Sequence, residues 1–95
     1  MAGSDTKFKH MEAVGSTGSG RARLRGLTVY STASGAAKIT LTDGSGGTTL
    51  FDQDIPAGTI SQFTEITIPG EGILFDSDIH VATKTNWSSA NIFWS

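Results

Sequence analysis

The chain has 95 residues, a net charge of −2 at pH 7 and no cysteine. That length holds one domain with a small core, and such domains usually need disulfides, metals or self-association for support. Without cysteine, disulfides and thiolate metal sites are excluded, so we expect self-association or docking onto a larger body. Because the sequence opens without an apolar leader and has no run of transmembrane length, we expect assembly in a cytoplasm, without a membrane partner.

Residues 1–20 differ in composition from the rest of the chain. They hold few large apolar residues and end in a Gly/Ser-rich run over residues 15–20, which is typical of flexible linkers. We predict an N-terminal arm and linker over residues 1–20, with at most one strand near Lys7–Val14, and a β-sandwich domain over residues 21–95. The alternative for the arm is a frayed terminus.

From residue 21 onward, short apolar segments alternate with turn residues at intervals of about 8–12, which is typical of sandwiches and barrels. The predicted strands span residues 21–32, 38–43, 48–52, 60–68, 72–75, 79–83 and 91–94. In the first of them the apolar residues change parity at Gly26, which predicts a β-bulge. Residues 43–47 predict a Gly-rich hairpin loop, and residues 86–89 a turn. We therefore predict an all-β fold: a small jelly-roll-like antiparallel β-sandwich of about seven to eight short strands.

Basic residues concentrate near the N-terminus. Arg21, Arg23 and Arg25 alternate along a predicted strand, so a regular strand places them on one face. Such a stripe can hold an acidic protein surface or phosphates, and the alternative is an ordinary solvated face. The acidic net charge and the absence of aromatic residues between the arginines disfavour a nucleic acid partner. We predict protein docking by the cations Lys7, Lys9, Arg21, Arg23 and Arg25.

Other polar groups give weak signals for chemistry. The Asp-x-Asp pairs at residues 52–54 and 76–78 match no calcium loop, and aspartate is common in turns, so no metal site is predicted. His10 and His80 could contribute to a hydrolytic triad only if the fold joined them with a nucleophile, and no nucleophile motif is present. We expect His80 to point outward, and we predict no catalytic residues and no cofactor.

Three aromatic residues, Trp87, Phe93 and Trp94, cluster near the C-terminus. They can form a sugar-stacking platform, a corner of the core or a contact between subunits. Because tryptophan is enriched at interfaces and this chain is short of core, we predict a subunit interface.

Several segments carry a family resemblance. They are Arg23–Leu27 with its Leu-Arg-Gly, the strand 38–44 ending in Asp-Gly, the Gly/Thr hairpin 45–50, and residues 68–75 with Pro-Gly-x-Gly-Ile-Leu-Phe. In this order they resemble small all-β virion proteins of tailed bacteriophages, especially marine and cyanobacterial phages. The resemblance covers roughly residues 15–94. Where that family usually ends in a Val-x-Val-Phe-Tyr strand, this chain has Asn-Ile-Phe-Trp-Ser at residues 91–95.

The resemblance implies a non-enzymatic virion protein, most directly a head decoration or cement protein that stabilises the lattice of the major capsid protein. Such proteins are often trimers on the capsid surface, so the implied partners are the major capsid protein and two further copies of the chain. A tail, adaptor or fibre-associated virion subunit is the alternative. A carbohydrate-binding module, with Trp87 and Trp94 stacking on sugar, is an alternative of a different class.

Overall fold

The computed structural model describes residues 6–32, 35–56 and 62–95, and in these residues it contains nine strands and no helix. The strands are β1 (Lys7–Met11), β2 (Gly15–Ser16), β3 (Ala22–Ser31), β4 (Ala37–Asp43), β5 (Thr49–Ile55), β6 (Gln62–Thr67), β7 (Ile73–Phe75), β8 (Ile79–Thr85) and β9 (Trp87–Trp94). The predicted start of the strand at residues 60–61 lies outside the described residues. The all-β prediction is confirmed.

The strands form two antiparallel sheets. Sheet A has the order β1-β9-β3-β6, with β7 also paired to β3, and sheet B has the order β2-β8-β4-β5. The pairs β1·β9, β2·β8, β3·β6 and β4·β5 are those of one long hairpin folded back on itself. The pairs β3·β9 and β4·β8 then complete each sheet. This is a jelly-roll arrangement with β7 as an addition, so the predicted jelly-roll-like sandwich is confirmed.

Alternate residues of the central strands β3, β4, β8 and β9 fill the space between the sheets. Ile39 and Leu41 of β4 are fully buried, as their alternation predicts, and Val81 of β8 lies opposite Leu41. The predicted loop between β4 and β5 is also present, since Asp43 N donates to the carbonyl oxygen of Thr48 at 2.9 Å. A period of two in the sequence is thus sufficient to place Ile39 and Leu41 in the core.

The bulge predicted at Gly26 is confirmed. The register of β3 against β9 shifts between Leu24 and Gly26, which leaves Arg25 as the extra residue. Leu24 and Leu27, on the two sides of the shift, are therefore both buried. A Cβ atom on Gly26 would lie 2.8 Å from the carbonyl oxygen of Ile66, so glycine lets β6 approach β3 closely.

Residues 6–20 belong to the sandwich, which corrects the predicted boundary between an arm and a domain at residue 21. β1 pairs along its whole length with β9 in sheet A, and β2 pairs with β8 in sheet B. Met11 is buried in the core at 7% exposure, and Thr17 is buried at 5%. Residues 1–5 lie outside the described residues.

The Gly/Ser-rich run over residues 15–20 is held in place by Asp78, whereas its composition predicted a flexible linker. The Ser16 hydroxyl donates to Asp78 Oδ2 at 2.6 Å. The Ser19 hydroxyl and the Gly20 N–H both lie within hydrogen-bond distance of Asp78 Oδ1, at 3.4 and 3.2 Å. Thr17 N adds a backbone bond of 3.0 Å to the carbonyl oxygen of Ile79. The small side chains therefore serve a tight, hydrogen-bonded connection.

The turn predicted over residues 86–89 is reduced to Asn86, because β9 begins at Trp87. Asn86 has φ 55°, in the left-handed region that asparagine tolerates better than most residues. Its side-chain amide donates to the carbonyl oxygen of Ala36 at 3.0 Å, and its own carbonyl accepts from Thr32 N at 2.8 Å. This corner carries the chain from sheet B to sheet A.

Candidate functional site

The outer face of sheet A carries an exposed aromatic pair. Phe8 lies opposite Phe93 on the neighbouring strand, and their ring centroids are 5.9 Å apart with an interplanar angle of 33°. Phe8 is 61% exposed, and Tyr30 on the same face is 45% exposed. Large exposed apolar groups gathered on one face are typical of a contact surface.

A hydrogen-bonded polar row lies next to this pair. His10, Asn91 and Thr28 sit opposite one another on β1, β9 and β3. His10 Nδ1 lies 2.8 Å from Asn91 Oδ1, and Asn91 Nδ2 donates to the Thr28 hydroxyl at 3.2 Å. These bonds cross three strands and hold the outer face in one arrangement.

A shallow depression opens at Gly26, because this residue places no side chain on the outer face. Its volume is about 220 Å³. The side chains around it combine an aromatic ring, two hydroxyls and two opposite charges: Phe93, Thr28, Thr67, Arg25 and Glu65. The depression therefore offers an apolar wall with a polar rim.

The three arginines of the predicted stripe lie together at the end of the outer face beyond the aromatic pair. Arg21 pairs with Asp76 at 3.4 Å, and both side chains are about seven-tenths exposed. Arg25 Nε donates to the Ser95 hydroxyl at 2.8 Å, and its Nη1 to the Gly70 carbonyl at 3.1 Å. Within the described ranges, the guanidinium of Arg23 has neither a hydrogen bond nor an ion pair.

Arg23 is thus the arginine with the most free donors. A second depression, of about 310 Å³, lies beside it and is lined by Arg21, Ala22, Arg23, Leu74 and Ser95. We name Arg21, Arg23 and Arg25 the arginine row. Because guanidinium groups bind carboxylates with two parallel hydrogen bonds, this end of the face suits an acidic partner.

Lys7 and Lys9 do not join the arginine row. Their β1 positions lie opposite Trp94 and Ile92, whose side chains are buried between the sheets. Residues directly opposite each other share a face, so the two lysines lie on the inward side of sheet A at its edge. Inward-pointing charges on an edge strand hinder unwanted strand pairing. The five cations predicted to dock together therefore occupy two separate places.

The tryptophans correct the predicted subunit interface. Trp87 is only 2% exposed, and its Nε1 donates to the carbonyl oxygen of Lys38 at 3.0 Å. Trp94 is 8% exposed. Both belong to the core of the chain itself, so neither is available for a subunit contact or a sugar platform. Phe93 remains as the member of the predicted cluster that reaches the outer face.

The groups weighed for catalysis or metal binding are dispersed. His10 lies on the outer face of sheet A, whereas His80 lies opposite Thr42 on sheet B. Asp52 accepts from the Thr40 hydroxyl at 3.0 Å. Across residues 6–32, 35–56 and 62–95, no three His, Cys, Asp or Glu side chains are placed to hold a metal ion.

Sequence reasoning missed the aromatic pair and the polar row, because their partners lie 63 or more positions apart along the chain. The parity change at Gly26 was the one signal that pointed to the depression. In the described part of the chain, no helix is long and apolar enough to cross a membrane. No protein-family model, no curated protein and no solved structure matches this chain significantly.

Proposed function

We propose that this chain is a non-enzymatic virion structural protein, a trimeric cement protein that stabilises the major capsid protein lattice from the capsid surface. The observation that carries the proposal is the outer face of sheet A, where the arginine row adjoins the exposed pair of Phe8 and Phe93. The phage-protein resemblance of residues 15–94 supports it, and so does the jelly-roll fold, which recurs in viral capsid domains.

The arginine row and the aromatic pair contribute to binding in different ways. The arginine row attracts an acidic coat surface and sets the orientation, an effect that salt weakens. The aromatic pair supplies affinity, since burying an exposed phenylalanine contributes roughly 1.5–3 kcal/mol. Arginine and aromatic residues are enriched among the residues that dominate binding energy. A protein that binds only the assembled lattice stabilises it by mass action.

The docking surface is tested by pelleting purified protein with virions that lack it. The combined variant with Arg21, Arg23 and Arg25 changed to Ala should bind more weakly and lose most of its salt dependence. Phe8→Ala should weaken binding and leave the salt dependence intact. Lys84→Ala, a cation on sheet B, is the matched control and should bind normally. Unchanged binding of the triple arginine variant would refute docking through this face.

The cement role is tested on the particle. Virions lacking the protein should break at lower temperature and under milder osmotic shock than complete virions, and adding the protein back should restore resistance. Equal resistance of the two kinds of particle would exclude the cement role. Hundreds of copies per particle are expected on a capsid, whereas a tail, adaptor or fibre-associated subunit would be present in far fewer.

A further inference from the structure

Arg23 differs from the other members of the arginine row in the surroundings of its guanidinium. Arg21 is exposed and pairs with Asp76, and Arg25 donates two hydrogen bonds within the chain. Arg23 is half-buried, yet in the part of the chain that the structure describes its guanidinium has neither a hydrogen bond nor an ion pair. A cation that has lost part of its hydration without gaining a partner is well placed to bind an anion.

The depression beside Arg23 adds an apolar contact to this free cation. Leu74 on β7 lies directly opposite Arg23 on β3, so the two side chains share the outer face of sheet A with Cβ atoms about 5 Å apart. Leu74 is half-buried, and it lines the depression of about 310 Å³ together with the arginine. A group seated here therefore contacts a guanidinium and a leucine side chain at once.

The backbone holds this pair of side chains in place. Arg23 exchanges two backbone hydrogen bonds with Ser95, at 3.0 and 3.1 Å, and pairs with Leu74 on its other side. Arg23 thus has a hydrogen-bonded neighbour on each side, which fixes the position from which its side chain projects. Because the site is built before a ligand arrives, binding orders fewer groups and costs less entropy.

Asp76 follows Leu74 by two positions, and its carboxylate is turned to a different arginine. Its Oδ1 lies 3.4 Å from Arg21 Nε. Arg21 therefore neutralises a charge that would otherwise repel an anion approaching Arg23. Arg25 has another role again, since its Nη1 donates to the Gly70 carbonyl at 3.1 Å and so ties β3 to the turn before β7.

We infer that Arg23 is the anchor residue of the arginine row. It binds one carboxylate of the coat surface, an aspartate or glutamate side chain, whose apolar neighbour packs on Leu74. Because a guanidinium forms two parallel hydrogen bonds with one carboxylate, a single free arginine is sufficient for this contact. The inference rests on the proposed function for the identity of the partner, and on Arg23 and Leu74 for the chemistry of the contact.

Single substitutions test the anchor by pelleting with virions that lack the protein. Arg23→Ala should weaken binding by roughly ten- to a hundredfold, because hydrogen bonds to a charged group are lost. Arg21→Ala is the matched control and should change the dissociation constant by less than about fivefold, since it removes an exposed ion pair. Equal weakening by the two variants would overturn the inference. An unchanged midpoint of urea unfolding shows that each variant is folded.

Arg23→Lys separates charge from geometry. It keeps the positive charge, so the salt dependence of virion binding should be retained. It loses the planar fork of the guanidinium, so it should recover little of the affinity that Arg23→Ala loses. Full affinity of Arg23→Lys would show that the site reads charge alone and would contradict the two-bond contact.

Nuclear magnetic resonance of the purified, isotope-labelled chain tests the site without virions. The probe is the blocked dipeptide acetyl-Glu-Leu-amide, and acetyl-Gln-Leu-amide is its matched control. The acidic dipeptide should shift the Arg23 Nε–H and the Leu74 methyl signals, and Arg23→Ala should abolish the Leu74 shift. No shift, equal shifts with the Gln dipeptide, equal shifts at Arg21 and Arg25, or larger shifts with inorganic phosphate would each overturn the inference.

The two proposals fail separately. If the triple arginine variant loses virion binding and Arg23→Ala keeps it, the anchor is wrong and the proposed function stands. If the acidic dipeptide binds at Arg23 and the chain does not bind virions, the carboxylate site stands and the proposed function is wrong.

Discussion

Asp78 is predicted to anchor the N-terminal segment to the rest of the sandwich. Its carboxylate accepts hydrogen bonds from Ser16, Ser19 and Gly20, at 2.6, 3.4 and 3.2 Å. The short bond from the Ser16 hydroxyl is charge-assisted and contributes about 1–1.5 kcal/mol at this partly exposed site. The two longer bonds contribute roughly 0.5 kcal/mol together. Asp78→Ala should therefore lower the free energy of unfolding by about 1.5–2 kcal/mol.

The assay is urea unfolding followed by tryptophan fluorescence, together with amide hydrogen exchange. Exchange should accelerate first in residues 15–20, because this connection loses its anchor while the central strands keep their pairing. Asp78→Asn retains one acceptor oxygen and should lose about half as much stability. Glu71→Ala, an exposed carboxylate in the turn before β7, is the control and should stay within about 0.5 kcal/mol. A loss for Asp78→Ala no larger than that of the control would refute this account of the N-terminal segment.

Three further substitutions test the fold. Gly26→Ala should lower the free energy of unfolding in urea by about 1–3 kcal/mol. The new Cβ would lie 2.8 Å from the Ile66 carbonyl oxygen, so β6 must shift. An unchanged free energy of unfolding would show that β6 moves freely. Trp87→Phe should lower the free energy of unfolding by about 2 kcal/mol, because the hydrogen bond to the Lys38 carbonyl and part of the side-chain volume are lost. Sedimentation should not change. Weakened self-association with unchanged stability would instead indicate that Trp87 lies in a subunit interface. Asn86→Ala should lower the free energy of unfolding by about 1–2 kcal/mol, and Asn86→Gly should lower it by less. Of these two replacements only alanine meets a steric penalty at φ 55°. The reverse order in thermal melts would contradict this explanation.

Local patterns were sufficient for the sandwich. Alternation is enough to place Ile39 and Leu41 in the core, and the parity change is enough to locate the bulge at Gly26. Each of these signals lies within one strand, where the side-chain period of two leaves few alternatives. The hairpin between β4 and β5 was predictable for the same reason, because its loop and both strands are contiguous in the chain.

Features that depend on distant partners were not predictable. Residues 15–20 have the composition of a linker, and their order comes from Asp78, which follows about sixty positions later. The tryptophans illustrate the same difficulty, because aromatic residues near a chain end suit either a core or an interface. Trp87 is a core residue whose indole N–H donates to the Lys38 carbonyl on another strand, a partner that the local sequence does not indicate.

Likewise, the arginine row was predictable from spacing alone, whereas its separation from Lys7 and Lys9 was not. The latter depends on the register of β1 against β9, which places the two lysines opposite buried residues. Register between strands far apart in sequence is set by the whole sandwich, and a single strand carries no sign of it.

The position of β9 has a consequence for biosynthesis. This strand lies between β1 and β3, so among the described strands β1 has no neighbour in sheet A until residues 87–94 have left the ribosome. Until then β1 and one side of β3 wait for their partner, whereas β3·β6, β4·β5 and β4·β8 can already pair. Contacts between segments so far apart in the sequence make folding slow. Chaperone protection of the nascent chain and a steep dependence of soluble yield on temperature are the expected consequences of pairing β1 with a strand about eighty positions later.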